Sequence, residues 1–235
     1  MNINNFIPTL LEQRRGIVAT SGNQQTRPIQ VLRPSWRDMI KNYPNSSVDV
    51  ITLYNEIGNG LIGHYNNSAS DWENTCAFRM SKGLNYSGLK LPYDNSKYKA
   101  KGAKGGVHKG DDKLNYWYRV KELGKYLEGH LGKPEFDETL KKAGLGQVKE
   151  GLSKENWDRL RKMKGIIMFK VSGWGNASGH FTLWDGNNLI YPGDPQHNNP
   201  NSQYYYFKMK YEQYDSSKKT NIVIQTDEIK LWELK

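Results

Sequence analysis

The hydrophobic period of the chain changes near residue 165. Before this point apolar residues recur every three or four positions, which is typical of amphipathic helices. The clearest such stripe is formed by Trp117, Val120, Leu123, Leu127 and Leu131. After it, the apolar run 165–172 and the alternating segment 180–184 are typical of strands, and Asp185-Gly186 is a hairpin signal. Helices first and strands later predict an α+β domain with a helical N-terminal half and an antiparallel sheet.

The remaining segments follow the same division. Helices are predicted over 36–43, with Ser35 as the N-cap, over 49–57, from about Cys76, over 116–131 and over 156–164. Strands are predicted over 204–210, 222–226 and 229–234 in addition to the two above. Glycines at 58, 60 and 63 predict a loop through residue 67, and the Gly- and Lys-rich segment 86–110 predicts a second one.

A chain of 235 residues is long enough for one domain with one active centre. We predict a single domain over 33–235 and an N-terminal extension over 1–32. The mean hydropathy is −0.83, and the longest apolar stretch falls far short of the roughly 20 residues that span a bilayer. The first residues also lack the pattern of a secretory signal, so we expect neither a membrane span nor conventional export.

The net charge of +10 predicts attraction to polyanions or to an acidic protein. The basic residues are spread along the chain, and neither a zinc-finger spacing nor an RNA-binding signature accompanies them. Nucleic acid is the usual partner of such a charge, but an anionic cell-wall polymer or an acidic inhibitor explains it equally well, and we predict no nucleic-acid partner.

Cys76 is the only cysteine of the chain and lies at a predicted helix start. A small residue of the hydrophobic core is the alternative interpretation. A thiol with a pKa of about 8.5 is mostly protonated at neutral pH, and a helix N-terminus lowers this value only modestly, so a catalytic Cys76 requires a nearby imidazolium. The backbone N–H of Cys76 can hold an oxyanion, with Asn74 as a second donor or as the helix cap.

His180 is the candidate base. It opens an aromatic strand after Ser178-Gly179, where the missing side-chain bulk allows another element to approach its ring. A packed strand histidine fits the same spacing. The other four histidines lie in polar loops or at a helix end and are predicted to be solvated: His64, His108, His130 and His197.

A catalytic histidine needs a group that orients its other nitrogen. Asp185 is five extended residues away, roughly 16 Å, and is a turn residue. If the chain reverses there, Asp194 returns opposite His180 and becomes the predicted orienting residue, with Gln196 and Asn198 as alternatives. One cysteine without a His-Glu-x-x-His spacing supplies no zinc ligand set, so neither a metal nor another cofactor is predicted.

Two segments resemble signature blocks of a known family. WENTCAFRMSKGLNYSG at 72–88 and GWGNASGHFTLWDG at 173–186 are similar to those of the fourth family of type VI secretion amidase effectors. The resemblance extends over about residues 33–235 through Arg33-Pro-Ser-Trp, YWYRVKEL and the final KLWELK. The spacing from His180 to Asp194 is longer than the family's spacing between its histidine and its acidic residue.

The resemblance implies a papain-like fold with Cys76 as nucleophile and His180 as base. It also implies hydrolysis of the γ-D-glutamyl–meso-diaminopimelate bond of peptidoglycan stem peptides. The expected partners are a cognate immunity protein and the type VI secretion apparatus, which would deliver the enzyme from the producing cytoplasm to the periplasm of rival bacteria. Residues 1–32 are additional, either as an aid to loading or as an unstructured extension.

Two other functions fit the same residues. A papain-like acyltransferase would use an amine or hydroxyl in place of water, and only its products would distinguish it from a hydrolase. A non-catalytic basic module would bind peptidoglycan or nucleic acid and would keep Cys76 in its core. Rapid alkylation at pH 6 would identify an activated thiolate.

Overall fold

The computed structural model describes residues 14–17, 20–21, 24–25, 29–103 and 105–235. Within the predicted extension 1–32 it shows four short strands, which pair as β1 with β4 and β2 with β3. They are β1 (Arg14–Ile17), β2 (Thr20–Ser21), β3 (Gln24–Gln25) and β4 (Ile29–Leu32). The other residues of the extension lie outside the described ranges, and the boundary at residue 33 stays a prediction.

The first half of the domain is mainly helical, as predicted. It contains α1 (Trp36–Asn42), α2 (Val50–Ile57), α3 (Leu61–Asn67), α4 (Ala69–Trp72), α5 (Cys76–Tyr86), β5 (Val107–Lys109), β6 (Asn115–Trp117) and α6 (Val120–Leu131). Side-chain caps begin the first two helices, because Ser35 Oγ accepts the Asp38 N–H at 3.0 Å and Asp49 Oδ1 accepts the Thr52 N–H at 2.7 Å. The predicted N-cap at Ser35 is confirmed.

The second half forms an antiparallel sheet. It contains β7 (Phe136–Thr139), α7 (Lys154–Leu160), β8 (Gly165–Ser172), β9 (Gly179–Trp184), a 3-10 helix (Pro195–Asn198), β10 (Lys210–Asp215) and β11 (Thr220–Glu233). The sheet runs in the order β10-β11-β8-β9, and β7 pairs with the second half of β11. Strand β9 is therefore at an edge.

Both faces of the sheet are covered. On β8, Ile166 and Met168 belong to the core shared with α1, α5 and α6, whereas Ile167 and Phe169 belong to a second core under α7 and the segment before β10. This explains the continuous apolar run over 165–172, since a strand buried on both faces has no polar side. The helical layer places the N-terminus of α5 against β9.

Three local predictions were wrong. The loop predicted over 58–67 contains helix α3, in which Leu61 is fully buried. The helix predicted from residue 116 begins at Val120, because residues 115–117 form β6 and pair with β5. The strand predicted over 204–210 is a series of turns whose aromatic side chains fill the second core.

The last two predicted strands are one strand, β11, which continues through a register shift between Thr226 and Glu228. This shift keeps the pairing with β8 while the strand bends. In the part of the chain that the structure describes, no helix is long and apolar enough to cross a membrane.

Candidate active site

Cys76 is the first residue of α5, as predicted. The preceding Thr75 is the N-cap residue but makes no side-chain cap bond, because its hydroxyl is bonded to Arg79 and Tyr191 instead. The Thr75 side chain therefore makes no hydrogen bond to the first backbone N–H groups of α5. Asn74 is exposed beside them and lines the cleft around Cys76. Such N–H groups favour an anion at this position.

The edge strand β9 approaches Cys76 through its backbone. The N–H of Phe181 faces the sulfur of Cys76, and the Phe181 carbonyl accepts a hydrogen bond from Tyr43 Oη at 3.4 Å. Phe181 thus directs both of its backbone polar groups away from β8 and towards the helical layer. This contact brings residue 180 to the nucleophile candidate.

His180 is held in a layer of aromatic rings. Its ring stacks on Tyr206 at 4.9 Å and on Tyr191 at 5.7 Å, and only 5% of the residue is exposed. Nε2 lies 2.7 Å from the backbone oxygen of Tyr191. A carbonyl oxygen only accepts, so Nε2 carries the proton and Nδ1 of the neutral ring has a free lone pair.

The chain reverses after β9 in the predicted way. Trp184 bridges to Leu189, and Asp185 Oδ1 accepts the N–H groups of Asn187 and Asn188 at 2.8 and 2.7 Å. Asp185 is thus a turn residue. A Cβ on Gly193 would lie 3.8 Å from His180 Cε1, so the returning segment does pass the histidine ring.

Asp194 does not contact His180. Its exposed carboxylate caps the 3-10 helix by accepting the Gln196 N–H at 2.8 Å. The Tyr191 carbonyl, three residues earlier, occupies the position at Nε2 that the sequence assigned to an acidic or amide side chain. Asn198 binds the hairpin turn through Leu189 N and Asn188 Oδ1. No side-chain pattern indicates a main-chain acceptor, which explains why the sequence missed it.

Burial opposes charge on both central groups. It lowers the pKa of His180 to about 3 and raises the pKa of the Cys76 thiol. Backbone N–H groups of Phe181 and Ala77 and the positive charge of Arg79 act in the opposite direction on Cys76. Burial therefore favours the neutral thiol and the neutral imidazole, whereas the sequence predicts a thiolate beside an imidazolium.

Cys76 lies between two clefts. One, of about 540 Å³, is lined by His180, His197, Trp174 and the acidic residues Glu73 and Asp194. The other, of about 410 Å³, is lined by Tyr98, Tyr118 and a basic group consisting of Arg119, Lys121 and Lys125, with Glu122 among them. Asn74, Asn176 and Gly179 contribute to both.

His197 is a cleft residue that the sequence did not identify. The prediction that it is solvated is wrong, because its ring stacks 4.3 Å from Tyr206, on which His180 also stacks. His108 and His130 are half-buried as well, with His108 Nε2 3.1 Å from the Gly58 oxygen, whereas His64 is exposed. Within the described ranges no three His, Cys, Asp or Glu side chains form a candidate metal site.

The fold and the cleft define a class: an α+β protein in which a cysteine at a helix N-terminus and a histidine on the edge strand of an antiparallel sheet line the same cleft. The family model of type VI secretion system amidase effector protein 4 (Tae4) matches residues 72–232, more than half of the chain. The chain belongs to this family, which confirms the resemblance drawn from the two motifs. As an amidase effector it is a hydrolase of the antibacterial effector class.

Solved structures share the fold. A chain in the Tae4–Tai4 effector–immunity complex from Enterobacter cloacae is 24% identical, with a TM-score of 0.57, 87% of this chain covered and 100% of that one. The Salmonella typhimurium effector Tae4 in complex with the immunity protein Tai4 from Enterobacter cloacae gives 23% identity, a TM-score of 0.56 and coverage of 86% and 100%. Enterobacter cloacae Tae4 without its immunity protein is 24% identical, with a TM-score of 0.56, 87% of this chain covered and 98% of that one. No curated protein matches the chain.

Proposed function

We propose that the protein is a papain-like cysteine amidase that hydrolyses the γ-D-glutamyl–meso-diaminopimelate bond of peptidoglycan stem peptides. The observation that carries the proposal is the shared cleft of Cys76 and His180, with Cys76 at the N-terminus of α5 and His180 bonded through Nε2–H to a carbonyl. This tautomer leaves Nδ1 as the atom that can accept a proton.

In the proposed reaction His180 Nδ1 takes the proton from Cys76 Sγ as the sulfur attacks the γ-glutamyl carbonyl carbon. The oxyanion is held by N–H groups at the start of α5. The imidazolium then gives its proton to the leaving amine of diaminopimelate, which departs and leaves a thioester on Cys76. A water molecule, activated by the neutral His180, hydrolyses the thioester and restores the thiol.

The charges of the two clefts support a substrate with both carboxylate and ammonium groups. Lys121 and Lys125 on one side suit the free carboxylates of a stem peptide. Glu73 and Asp194 on the other side suit the ammonium group of the diamino acid. A stem peptide carries a carboxylate on the glutamyl side of the proposed scissile bond, and both carboxylates and a free ammonium group on the diaminopimelate side.

The test is digestion of diaminopimelate-type sacculi with wild-type protein, Cys76→Ala and His180→Ala, followed by mass analysis of the fragments. We expect fragments with new diaminopimelate N-termini from the wild type only. If the wild type releases none, the proposed bond is wrong. If Cys76→Ala remains active, the cysteine mechanism is wrong, and amine adducts in place of hydrolysis products would identify an acyltransferase.

Asp194 is the proposed third residue. Because its carboxylate does not reach His180, it would act through its negative charge at the cleft. Burial lowers the pKa of His197, and the charge of Asp194 opposes part of that lowering. We expect Asp194→Ala to lose about fivefold in kcat/KM, from an electrostatic effect of about 1 kcal/mol, and Asp185→Ala to lose less. Equal losses in kcat/KM for the two variants would remove Asp194 from the site.

We further infer that an immunity protein blocks these clefts and that the type VI apparatus delivers the enzyme to the periplasm of target bacteria. Two of the three solved structures described above are effector–immunity complexes, which supports the first inference. Protection of Cys76 from alkylation by the co-produced immunity protein would test it, and unchanged labelling in the complex would count against a blocked cleft.

A further inference from the structure

Tyr191 connects the two halves of the candidate active site through its main chain and its side chain. Its backbone oxygen accepts the His180 Nε2 proton at 2.7 Å, and its backbone N–H donates to Thr182 Oγ1 at 2.8 Å. His180 and Thr182 are alternate residues of β9 and point to the same face of the sheet. The two peptide groups that flank the Tyr191 Cα are therefore both fixed by the strand that carries the candidate base.

The side chain of Tyr191 reaches to the start of α5. Its ring lies 3.9 Å below the guanidinium carbon of Arg79, and its hydroxyl lies 3.1 Å from Thr75 Oγ1. Thr75 immediately precedes Cys76, and Arg79 lies one turn further along the same helix. Tyr191 therefore contacts both the His180 ring and the first turn of α5, the helix that begins with Cys76.

Arg79 is rigid enough to act as the fixed end of this connection. It is 1% exposed, and Nε donates to Thr75 Oγ1 at 2.8 Å. Its other nitrogens donate to the carbonyl oxygens of Pro44, Asn45 and Val48 at 3.3, 2.9 and 2.7 Å. All four acceptors are neutral, so the guanidinium keeps its full positive charge for the face of the Tyr191 ring.

We propose that Tyr191 is a positioning residue: its carbonyl orients the His180 ring, and its side chain, held by Arg79 and Thr75, fixes that carbonyl relative to Cys76. The inference rests on the proposed function. In such Cys-His sites a carboxylate or amide side chain usually holds the histidine. Here a main-chain oxygen does so, and the identity of residue 191 matters through the contacts of its ring and hydroxyl.

The contact with Arg79 and Thr75 is tested with two variants of Tyr191. Tyr191→Phe keeps the ring beneath Arg79 but removes the bond to Thr75, and Tyr191→Leu removes both. Tyr93→Leu is the matched control, because Tyr93 is 68% exposed and lies outside both clefts. We expect kcat on a soluble stem peptide to fall about tenfold in Tyr191→Phe and about a hundredfold in Tyr191→Leu, with KM within about twofold of wild type.

A second readout does not depend on activity. Nitrogen-15 spectra of the histidine rings, assigned by comparison with His180→Gln, report which ring nitrogen carries the proton. We expect a single Nε2–H tautomer for His180 in the wild type and in Tyr93→Leu, and a mixture of tautomers in Tyr191→Leu. The measurement can be made in the Cys76→Ala background.

The results separate the two proposals. A wild-type tautomer and wild-type kcat in Tyr191→Leu would overturn the positioning role, even if the enzyme cleaves sacculi. A change of tautomer in Tyr191→Leu would support it, even if the wild type releases no diaminopimelate fragments and the proposed substrate is wrong. An increase of KM at constant kcat would also overturn it, because that result would indicate a contact with substrate rather than positioning of the base.

Discussion

At the scale of single residues, the site is defined by two groups that burial keeps neutral. His180 and Cys76 are 5% and 7% exposed, and each is surrounded by rings or backbone rather than by water. Transfer of the proton from the thiol to the imidazole would create an ion pair inside the cleft, where the attraction of the two charges offsets part of their desolvation. When the sulfur attacks a substrate carbonyl during proton transfer, the negative charge passes from the sulfur to the carbonyl oxygen.

The low pKa of His180 makes stability depend on pH. Its folded pKa is about 3 and its unfolded value about 6.5, so the unfolded chain binds more protons between these limits. The contribution of His180 is therefore fully present above pH 6.5 and is lost as the pH falls towards 3. Between pH 8 and pH 5 the wild type should lose about 2 kcal/mol more unfolding free energy than His180→Gln.

Urea unfolding of both proteins at the two pH values checks this expectation. The remaining histidines and the carboxylates contribute equally to both proteins, so the comparison isolates His180. Parallel losses of unfolding free energy would mean that His180 is not held neutral by burial.

The rate of Cys76 alkylation tests whether His180 accepts the thiol proton. The label reports on Cys76 alone, because the chain has no other cysteine. We expect slow labelling by iodoacetamide at pH 6, faster labelling as the pH rises, and a rate at pH 7.5 that is about tenfold lower in His180→Ala, since a neutral imidazole assists loss of the thiol proton. Mass spectrometry of quenched samples gives the rates. A denatured control corrects for burial, and identical rates in wild type and His180→Ala would exclude His180 as the acceptor.

At the scale of elements, the sequence predicted best where local signals and tertiary packing agree. The strand over 165–172, the N-cap at Ser35 and the helix start at Cys76 are confirmed. Apolar runs and the cap at Ser35 act locally, whereas α5 begins at Cys76 without a side-chain cap bond. The strand prediction for 204–210 was wrong because the aromatic side chains of this segment pack on the face of the sheet, while its backbone does not pair with a strand. Tyr191 could not be identified at all, because its main-chain oxygen carries no sequence signal.

The junction of β8 and β9 depends on Gly179. Its φ is +154°, and a Cβ there would lie 2.1 Å from the backbone oxygen of Phe169 and 3.2 Å from Lys170 Cα. Gly179→Ala must therefore push β9 away from β8 and move His180, the next residue. We expect a loss of unfolding free energy of about 2–3 kcal/mol.

Gly175→Ala is the matched control for this junction. Gly175 lies in the same connection, and a Cβ there would meet nothing within 4 Å. Thermal and urea unfolding should show Gly175→Ala within about 0.5 kcal/mol of wild type. Similar stability of the two alanine variants would show that β8 and β9 tolerate a side chain at their junction.

At the scale of the whole molecule, the fold concentrates the chemistry at one edge and leaves the charge spread out. The helical layer and the sheet meet where the N-terminus of α5 reaches β9, so both clefts open beside Cys76. The net charge of +10 belongs to the entire chain, and Lys121 and Lys125 bring part of it to a cleft. This distribution of charge favours accumulation of the enzyme on an anionic polymer before the clefts bind the segment that is cleaved.

Because the diffuse charge and the cleft contacts act at different distances, we predict that salt affects the sacculus and a soluble stem peptide differently. Long-range attraction between the +10 chain and an anionic sacculus is screened when the Debye length falls from about 14 Å at 0.05 M salt to about 4 Å at 0.5 M, whereas contacts inside the clefts are screened less. Over this range we expect the rate of sacculus digestion at low enzyme concentration to fall about tenfold, and kcat/KM for a soluble stem peptide to fall about twofold. Release of diaminopimelate-terminated fragments measures both rates. Equal salt dependence for the two substrates would show that the diffuse positive charge does not concentrate the enzyme on the wall.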